Sequence, residues 1–328
     1  MKKRILTGDR TTGKLHLGHY VGSLQSRVKL QHEYDTFILL ADVQALTTHF
    51  ENPGLIRQSI LDVAIDNLSV GLDPNTVTLV QQSAIPAIAE LTIFYSMLVT
   101  VNTLRHNPTI KTEAGQYGYD DMTYGFLGYP VSQTADITFC KAHLVPVGED
   151  QAPHLELSRK IVRRFNDLYA PVLVEPQIML SDCPRLVGLD GNAKMGKSLG
   201  NAVYLSDDSE TVNKKVMNAL TDKSRLQKTD PGHPEVCTVS AYHKAFNPGE
   251  YDNVCDMCRK GSIGCVACKK NLCSVLNTLM DPFREKRAYY EGHLDEVKEI
   301  IRSGSQKASD IGNETVREVK DAMSVLIK

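Results

Sequence analysis

The 328-residue chain contains no tryptophan, so it has no indole fluorescence of its own. It also has almost no net charge: 37 Lys and Arg against 39 Asp and Glu leave −2. That excludes a global nucleic-acid footprint and confines any RNA contact to local patches. Long hydrophobic runs are missing too. The most apolar stretch, Ile85 to Leu104, contains Pro86 and is interrupted by Glu90 and Asn102, which makes it too polar for a membrane span. The basic N-terminus has no apolar run behind it before Gly8, so the expectation is a cytoplasmic chain without a signal peptide.

Hydrophobic residues at 42% and charged ones at 23% describe an ordinary globular protein, and the length suggests two domains. The chain is organised around its first 25 residues. Lys3 to Gly8 reads as a short buried strand and the two glycines, Gly8 and Gly13, as a turn. His16-Leu17-Gly18-His19 then opens a helix whose apolar face carries Val21, Leu24 and Val28. A helix start offers unpaired N–H groups and partial positive charge, Gly18 lets a ligand approach the backbone, and two histidines three apart can donate to one anion. The arrangement suits a phosphate.

Thr36 to Asp42 is a continuous apolar run, as expected of a strand covered on both faces. Asn67 to Pro74 ends a helix, and Val77 to Val80 is the next strand. Such alternation predicts an α/β fold with a doubly wound parallel, Rossmann-like sheet, and ligands at the C-terminal ends of its strands near Gly8, Asp42 and Gly148. From Ile88 to Leu104 one helix is predicted, apolar nearly all round and so buried on more than one face.

Beyond Tyr204 no strand signal remains. Asp207 to Glu210 reads as a capping box for a helix carrying Val212, Val216 and Leu220. Glu296 to Ile301 and Ala308 to Leu326 read as two further helices, the second with Ile311, Thr315, Val319, Ala322 and Leu326 on one stripe. The C-terminal third is therefore expected to be helical. The eight cysteines of the whole chain include Cys255-x2-Cys258-x6-Cys265-x2-Cys268, a spacing that fits a four-thiolate zinc site. Cys140 and Cys183 read as small core residues. Arg159, Lys160, Arg163 and Arg164 form one basic helical strip, and Lys269 and Lys270 flank the cysteine run. Both are patches where RNA could dock.

A second stretch pairs with HLGH: Ala193-Lys194-Met195-Gly196-Lys197-Ser198. An HxGH helix start with a distant KMxKS-type loop resembles the class I aminoacyl-tRNA synthetases over nearly the whole chain. Tyr129 to Ile137, and Val147-Gly148-Glu149-Asp150-Gln151 running into His154 to Arg159, narrow the resemblance to the tryptophanyl-tRNA synthetases. The resemblance implies a catalytic domain over 1–200, with a dimer-forming insertion at about 85–126. It further implies a helical anticodon-binding domain over 201–300 and a final helix, 301–328, packing back on the first domain. The implied partners are L-tryptophan, tRNA(Trp) and a second copy of the chain, with no membrane.

The implied chemistry is activation of tryptophan by ATP with Mg²⁺, the substrate carboxylate attacking the α-phosphate, followed by transfer to tRNA. The protein supplies position and charge. His16, His19, Lys194 and Lys197 are the implied catalytic residues. Arg10, Thr11, Thr12, Gly18, His19, Gly148, Glu149, Asp150, Leu186, Lys194, Met195, Gly196, Lys197 and Ser198 would bind ATP, with Leu186 placed in a strand. Asp136 would accept the indole N–H, Tyr129 and Gln151 would take the ammonium group, and Gln133 would complete the tryptophan site. Gly196 departs from the usual serine, and Gln44 stands where many relatives carry histidine.

The resemblance also offers a different metal reading. A subset of these enzymes carries a [4Fe–4S] cluster, and Cys237, Cys258, Cys265 and Cys268 match its ligands, leaving Cys255 and Cys273 as bystanders. Zinc, held by Cys255 in place of Cys237, stays the alternative. Rival functions are a small-molecule nucleotidylyltransferase, a tyrosine-specific synthetase and a non-catalytic, redox-sensing RNA-binding paralogue.

Overall fold

The computed structural model describes residues 2–119, 121–148, 151–180, 186–191, 195–196 and 199–327. In chain order the elements are β1 (Arg4–Arg10), α1 (Leu17–His19) running through a π-helical turn (Tyr20–Leu24) into α2 (Gln25–Leu30), β2 (Asp35–Ala41), α3 (Asp42–His49), α4 (Pro53–Ser69) and β3 (Val77–Gln81). There follow α5 (Pro86–Ser96), α6 (Val101–Arg105), α7 (Pro108–Tyr117), α8 (Tyr124–Thr138), β4 (Leu144–Val147), α9 (Ala152–Leu168) and β5 (Gln177–Leu180). The chain ends in helices α10 (Ser209–Met217), α11 (Thr238–Phe246), α12 (Tyr251–Arg259), α13 (Cys265–Gly292) and α14 (Leu294–Ala322).

The five strands form one parallel sheet in the order β3-β2-β1-β4-β5, as the α/β reading requires. Along β2 the side chains alternate: Phe37 and Leu39 face one hydrophobic cluster, built with α5, α8, α9 and α14. Ile38 and Leu40 face the other, built with α4, α10, α11, α13 and the start of α14. The sheet is thus covered on both faces, and each fully buried Leu, Ile or Phe contributes about 1.5–3 kcal/mol. The helices after β5 share the second cluster with α4, so their core is continuous with that of the sheet.

The strand order reverses between β1 and β4. There β1 pairs with β2 along its whole length, Arg4↔Asp35 to Arg10↔Ala41, but meets β4 only at Ile5↔Leu144. Pro146 in β4 has no N–H to give to a ladder. Past Ile5 the two strands separate towards their C-terminal ends and leave a crevice, the usual ligand position in this architecture.

Several local expectations need correction. Gly8 lies within β1, not in a turn: a Cβ there would strike the carbonyl oxygen of Leu39 on β2, so the glycine serves close strand packing. The turn comes at Gly13, whose φ of +106° suits glycine. The single helix expected over 88–104 is two, α5 and α6, because Thr100 starts a new helix by accepting from the Thr103 N–H. Asp208, not Asp207, caps α10, and Leu220 lies past its end.

The two C-terminal helices are one 29-residue helix. The small residues Ser303-Gly304-Ser305, which lie between the two expected helices, mark its crossing of β3. At Gly304 any Cβ would run into the Leu79 carbonyl, and the Gln81 N–H of β3 donates to Ser305 Oγ at 3.0 Å. Leu326, assigned to the stripe, lies outside the helix and is exposed.

Candidate active site

The signature tetrapeptide caps its own helix. His16 Nδ1 accepts from the Gly18 N–H at 3.1 Å, and His19 Nδ1 accepts from the His16 N–H at 3.2 Å, with the rings 3.9 Å apart. With Nδ1 accepting on both rings, the proton of each neutral imidazole sits on Nε2, so both can donate outward. The segment is stitched to the stretch beyond the lysine loop: Leu17 N–H donates to Val203 O at 2.9 Å and Leu205 N–H to Leu15 O at 3.0 Å.

Gly18 is needed for packing. A Cβ there would lie 2.9 Å from the His16 ring and 3.6 Å from the Cβ of Met195. Met195, buried in one cluster with Leu15, Leu17 and Leu186, brings the HLGH turn and the lysine loop into contact. Its N–H points to Leu186 O at 3.4 Å, and Leu186 lies outside any strand, contrary to expectation. Gly196 N–H donates to Asn201 Oδ1 at 3.0 Å, and its φ is not positive, so its backbone would admit a serine. Lys194, Lys197 and Ser198 fall outside the described residues, as do Glu149, Asp150 and Cys183.

The crevice between β1 and β4 holds a cavity of 310 Å³. Arg10, Tyr129, Gln133, Asp136, Gly148 and Gln151 all line it, brought together from β1, α8, the end of β4 and the start of α9. Two polar atoms of its lining residues, Arg10 Nε and Gln133 Oε1, are buried without a partner among the described residues, and so is Oγ1 of the neighbouring Thr11. Buried polar atoms are rarely left so unless a ligand or water completes them. Thr12 closes the turn with its N–H on Arg10 O at 2.9 Å.

Two carboxylates in this cavity sit in opposite settings. Burial alone would raise Asp9, but Arg27 donates to its two oxygens at 2.5 and 3.0 Å and Asn67 adds a bond at 3.1 Å, which hold the carboxyl down at about 2. Asp136 is equally buried and pushed up to about 7 by that burial, with only Gln82 Nε2 donating to Oδ1 at 2.8 Å in compensation. Its Oδ2 has no partner among the described residues. Gln82 in turn is fixed by the Gln44 N–H, which donates to its Oε1 at 3.0 Å.

Residues 1–281 match the family described as tRNA synthetases class I (W and Y). The chain is 48% identical to the tryptophan–tRNA ligase of Lactococcus lactis subsp. lactis, covering 99% of this chain and 98% of that protein. It shows the same identity and coverage with that of Streptococcus mutans serotype c. The chain belongs to the tryptophanyl-tRNA synthetases of class I. A Campylobacter jejuni tryptophanyl-tRNA synthetase structure, described as complexed with ADP and tryptophan, superposes with a TM-score of 0.87 at 27% identity over 98% of this chain and 99% of that one. A synthetase from Mycoplasma pneumoniae superposes at 0.81, 26% identical over 99% and 98%.

The synthetase fold also brings in residues that the sequence reading missed. Glu113, from α7, lines the cavity and accepts from Tyr129 Oη at 2.9 Å. Gln82 follows β3 directly, and a buried polar residue just past a strand's C-terminal end was the available cue. Tyr129 Oη also meets His154 Nε2 at 2.6 Å, and burial followed by the Glu113 charge pushes the pKa of the phenol well above its usual range.

The two suspected RNA patches are largely tied up within the synthetase. Arg159 and Arg163 bind Glu175 at 2.8 and 2.5 Å, Arg164 donates to Leu98 O at 3.2 Å, and Lys269 donates to Met217 O and Ala219 O at the end of α10. Among the described residues, no three His, Cys, Asp or Glu side chains converge closely enough to hold a single metal ion. Of the cysteines, Cys140 is buried in the core and Cys255 is buried with its Sγ 3.8 Å from Ser240 Oγ. No helix among the described residues is long and apolar enough to cross a membrane.

Proposed function

We infer that the chain activates L-tryptophan with ATP and transfers the product to tRNA(Trp). The observation that carries this is the single cavity at the reversal of strand order. It gathers an apolar lining, the half-satisfied Asp136 and the orphaned polar atoms of Arg10 and Gln133. Asp136 Oδ2 accepts the indole N–H while Leu6, Ile137, Val145 and Val147 hold the rings. A site built to satisfy one N–H rejects side chains without it by roughly 10⁴–10⁵. Tyr129, Gln133 and Gln151 position the amino acid's polar end.

The substrate carboxylate attacks the α-phosphate, so the protein contributes no nucleophile. His16 and His19, donating through Nε2, and the arm carrying Lys194 and Lys197 stabilise the phosphates as pyrophosphate departs. Arg10, Thr11, Thr12, Gly18, Gly148, Glu149, Asp150, Leu186, Met195, Gly196 and Ser198 complete the nucleotide site, and Mg²⁺ is held by phosphate oxygens and water. Tryptophan-dependent exchange of pyrophosphate into ATP is the test. A chain that binds tryptophan yet shows no exchange would be the non-catalytic paralogue, and one inhibited by excess tyrosine would be the tyrosine enzyme.

The cysteine site reads best as a [4Fe–4S] centre on Cys237, Cys258, Cys265 and Cys268. Cys268 is pushed up to about 12 by burial and then by the nearby charges of Cys237, Cys258 and Cys265. One Arg225 nitrogen lies 3.8 Å from Cys258 Sγ and 3.9 Å from Cys265 Sγ. Four thiolates suit either metal, and the choice of the cluster rests on the match of Cys237, Cys258, Cys265 and Cys268 to the ligands of that subset of the family. When bound, the cluster would tie α11, α12 and α13 together. Acid-labile sulfide and brown colour are expected, and a colourless protein with one zinc per chain would refute the choice.

A homodimer is supported by the apolar residues left outside on α5, α6 and α8, among them Ile93, Met97 (68% exposed), Val101 and Tyr124 (77%). Sedimentation at the monomer mass would count against it.

A further inference from the structure

Free tryptophan is a zwitterion, and an ammonium drawn into a half-closed cavity needs a carboxylate within reach. Three carboxylates line the described part of this one, and each can be followed to its partners. Asp9 is committed to Arg27 through both oxygens. Asp136 lies deep among the ring-holding residues, hydrogen-bonded to Gln82. Glu113 is the third. It sits half-buried on α7 at the cavity wall, held through Oε2 by Tyr129, and makes no ion pair among the described residues.

The hydrogen-bond relay behind it is directional. The Tyr129 phenol has one proton and gives it to Glu113, so the 2.6 Å contact to His154 is made by an imidazole that donates from Nε2 to the phenol oxygen. This chain of donors orients the Glu113 carboxylate and leaves Oε1 for a further donor.

We propose that Glu113 is the specificity-determining counter-charge for the α-ammonium of the amino-acid substrate, oriented by Tyr129 and His154. The assignment rests on the tryptophan-activating reading and adds a residue to its site. Glu113 selects amino acids over indole acids that share the same ring.

The experiment uses ligand fluorescence on the tryptophan-free full chain. Dissociation constants for tryptophan, tryptamine (ammonium without carboxylate) and indole-3-propionate (carboxylate without ammonium) are compared in the wild type, Glu113→Gln, Tyr129→Phe and the double variant. Glu113→Gln should weaken tryptamine about 10–100-fold, the range for a lost hydrogen bond to a charged group, and leave indole-3-propionate unchanged or tighter. It should also raise KM for tryptophan more than it lowers kcat. Tyr129→Phe alone should weaken tryptamine by a smaller factor, because it loosens the carboxylate without removing its charge, and in that background Glu113→Gln should still cost tryptamine selectively, though less than in the wild type. Equal losses for both analogues, no loss for tryptamine, or a loss that vanishes in the Tyr129→Phe background would each overturn the assignment while tryptophan binding by the wild type keeps the enzymatic reading intact. A wild-type chain that binds no tryptophan overturns both.

Discussion

Asp9 and Asp136 line the same cavity, both wholly buried, and the fold treats them in opposite ways. Under β1, Asp9 is matched by a guanidinium and an amide, so its charge is permanent and spent on holding β1, α2 and α4 together. On α8, Asp136 receives one neutral amide bond, which leaves it close to the midpoint of ionisation near neutral pH. A buried charge that is fully paired belongs to the scaffold. One that is left half-paired is available to a ligand.

The contrast breaks most violently at Arg27. Arg27→Met strands the Asp9 charge and should cost about 3–5 kcal/mol of stability, read as a lower urea midpoint. Asp136→Asn, by comparison, should spare stability and strike binding. With Gln82 still donating to Oδ1, the new amide N–H₂ faces the indole N–H, and tryptophan affinity should fall about 10–100-fold in a fluorescence titration.

The pH dependence separates the pair further. Asp9, held below its unfolded value, contributes stability that is present above pH 4 and lost as pH falls through about 2. Asp136, held above its unfolded value, contributes stability that is present below pH 4 and lost as pH rises through about 7, on the order of 4 kcal/mol in total. Wild type should therefore lose more stability than Asp136→Asn between pH 5 and 8. Over the same window wild-type tryptophan binding should tighten, being about tenfold weaker at pH 6 than at pH 8, while the variant stays flat. The smallest effect belongs to Gln82→Leu, which removes the lone compensating bond. The pH midpoint of tryptophan binding should move upward, with a stability change of about 1 kcal/mol.

The sheet was legible because β2 is a continuous apolar run and β1 and β3 carry shorter ones, each between polar turns, and the HLGH and Met195 motifs that the sequence paired do meet through Gly18 and Met195. Boundaries failed where a tertiary contact outweighs local pattern. Ser303-Gly304-Ser305 lies between two expected helices until Leu79 is seen behind it, and Gly8 reads as a turn until Leu39 is. In the site, Asp136, Tyr129, Gln133 and Gln151 could be named because they sit in long distinctive strings. Gln82 and Glu113 could not, since each gains its meaning from a partner 54 or 16 residues away that only folding supplies. The basic strip on α9 gains its Glu175 partner in the same way, from beyond the helix.

The crossing of α14 over β3 has a consequence for the behaviour of the chain in crowded solution. β3 is the rim of the sheet, and its outward-facing amides would otherwise recruit strands from other molecules. Ser305 occupies one of those amides, and Gly304 lets the helix lie close enough to cover its neighbours. A bulky side chain at 304, or a chain released before its last helix is made, would uncover a ready template for intermolecular pairing. Insolubility should then set in well before catalysis is lost.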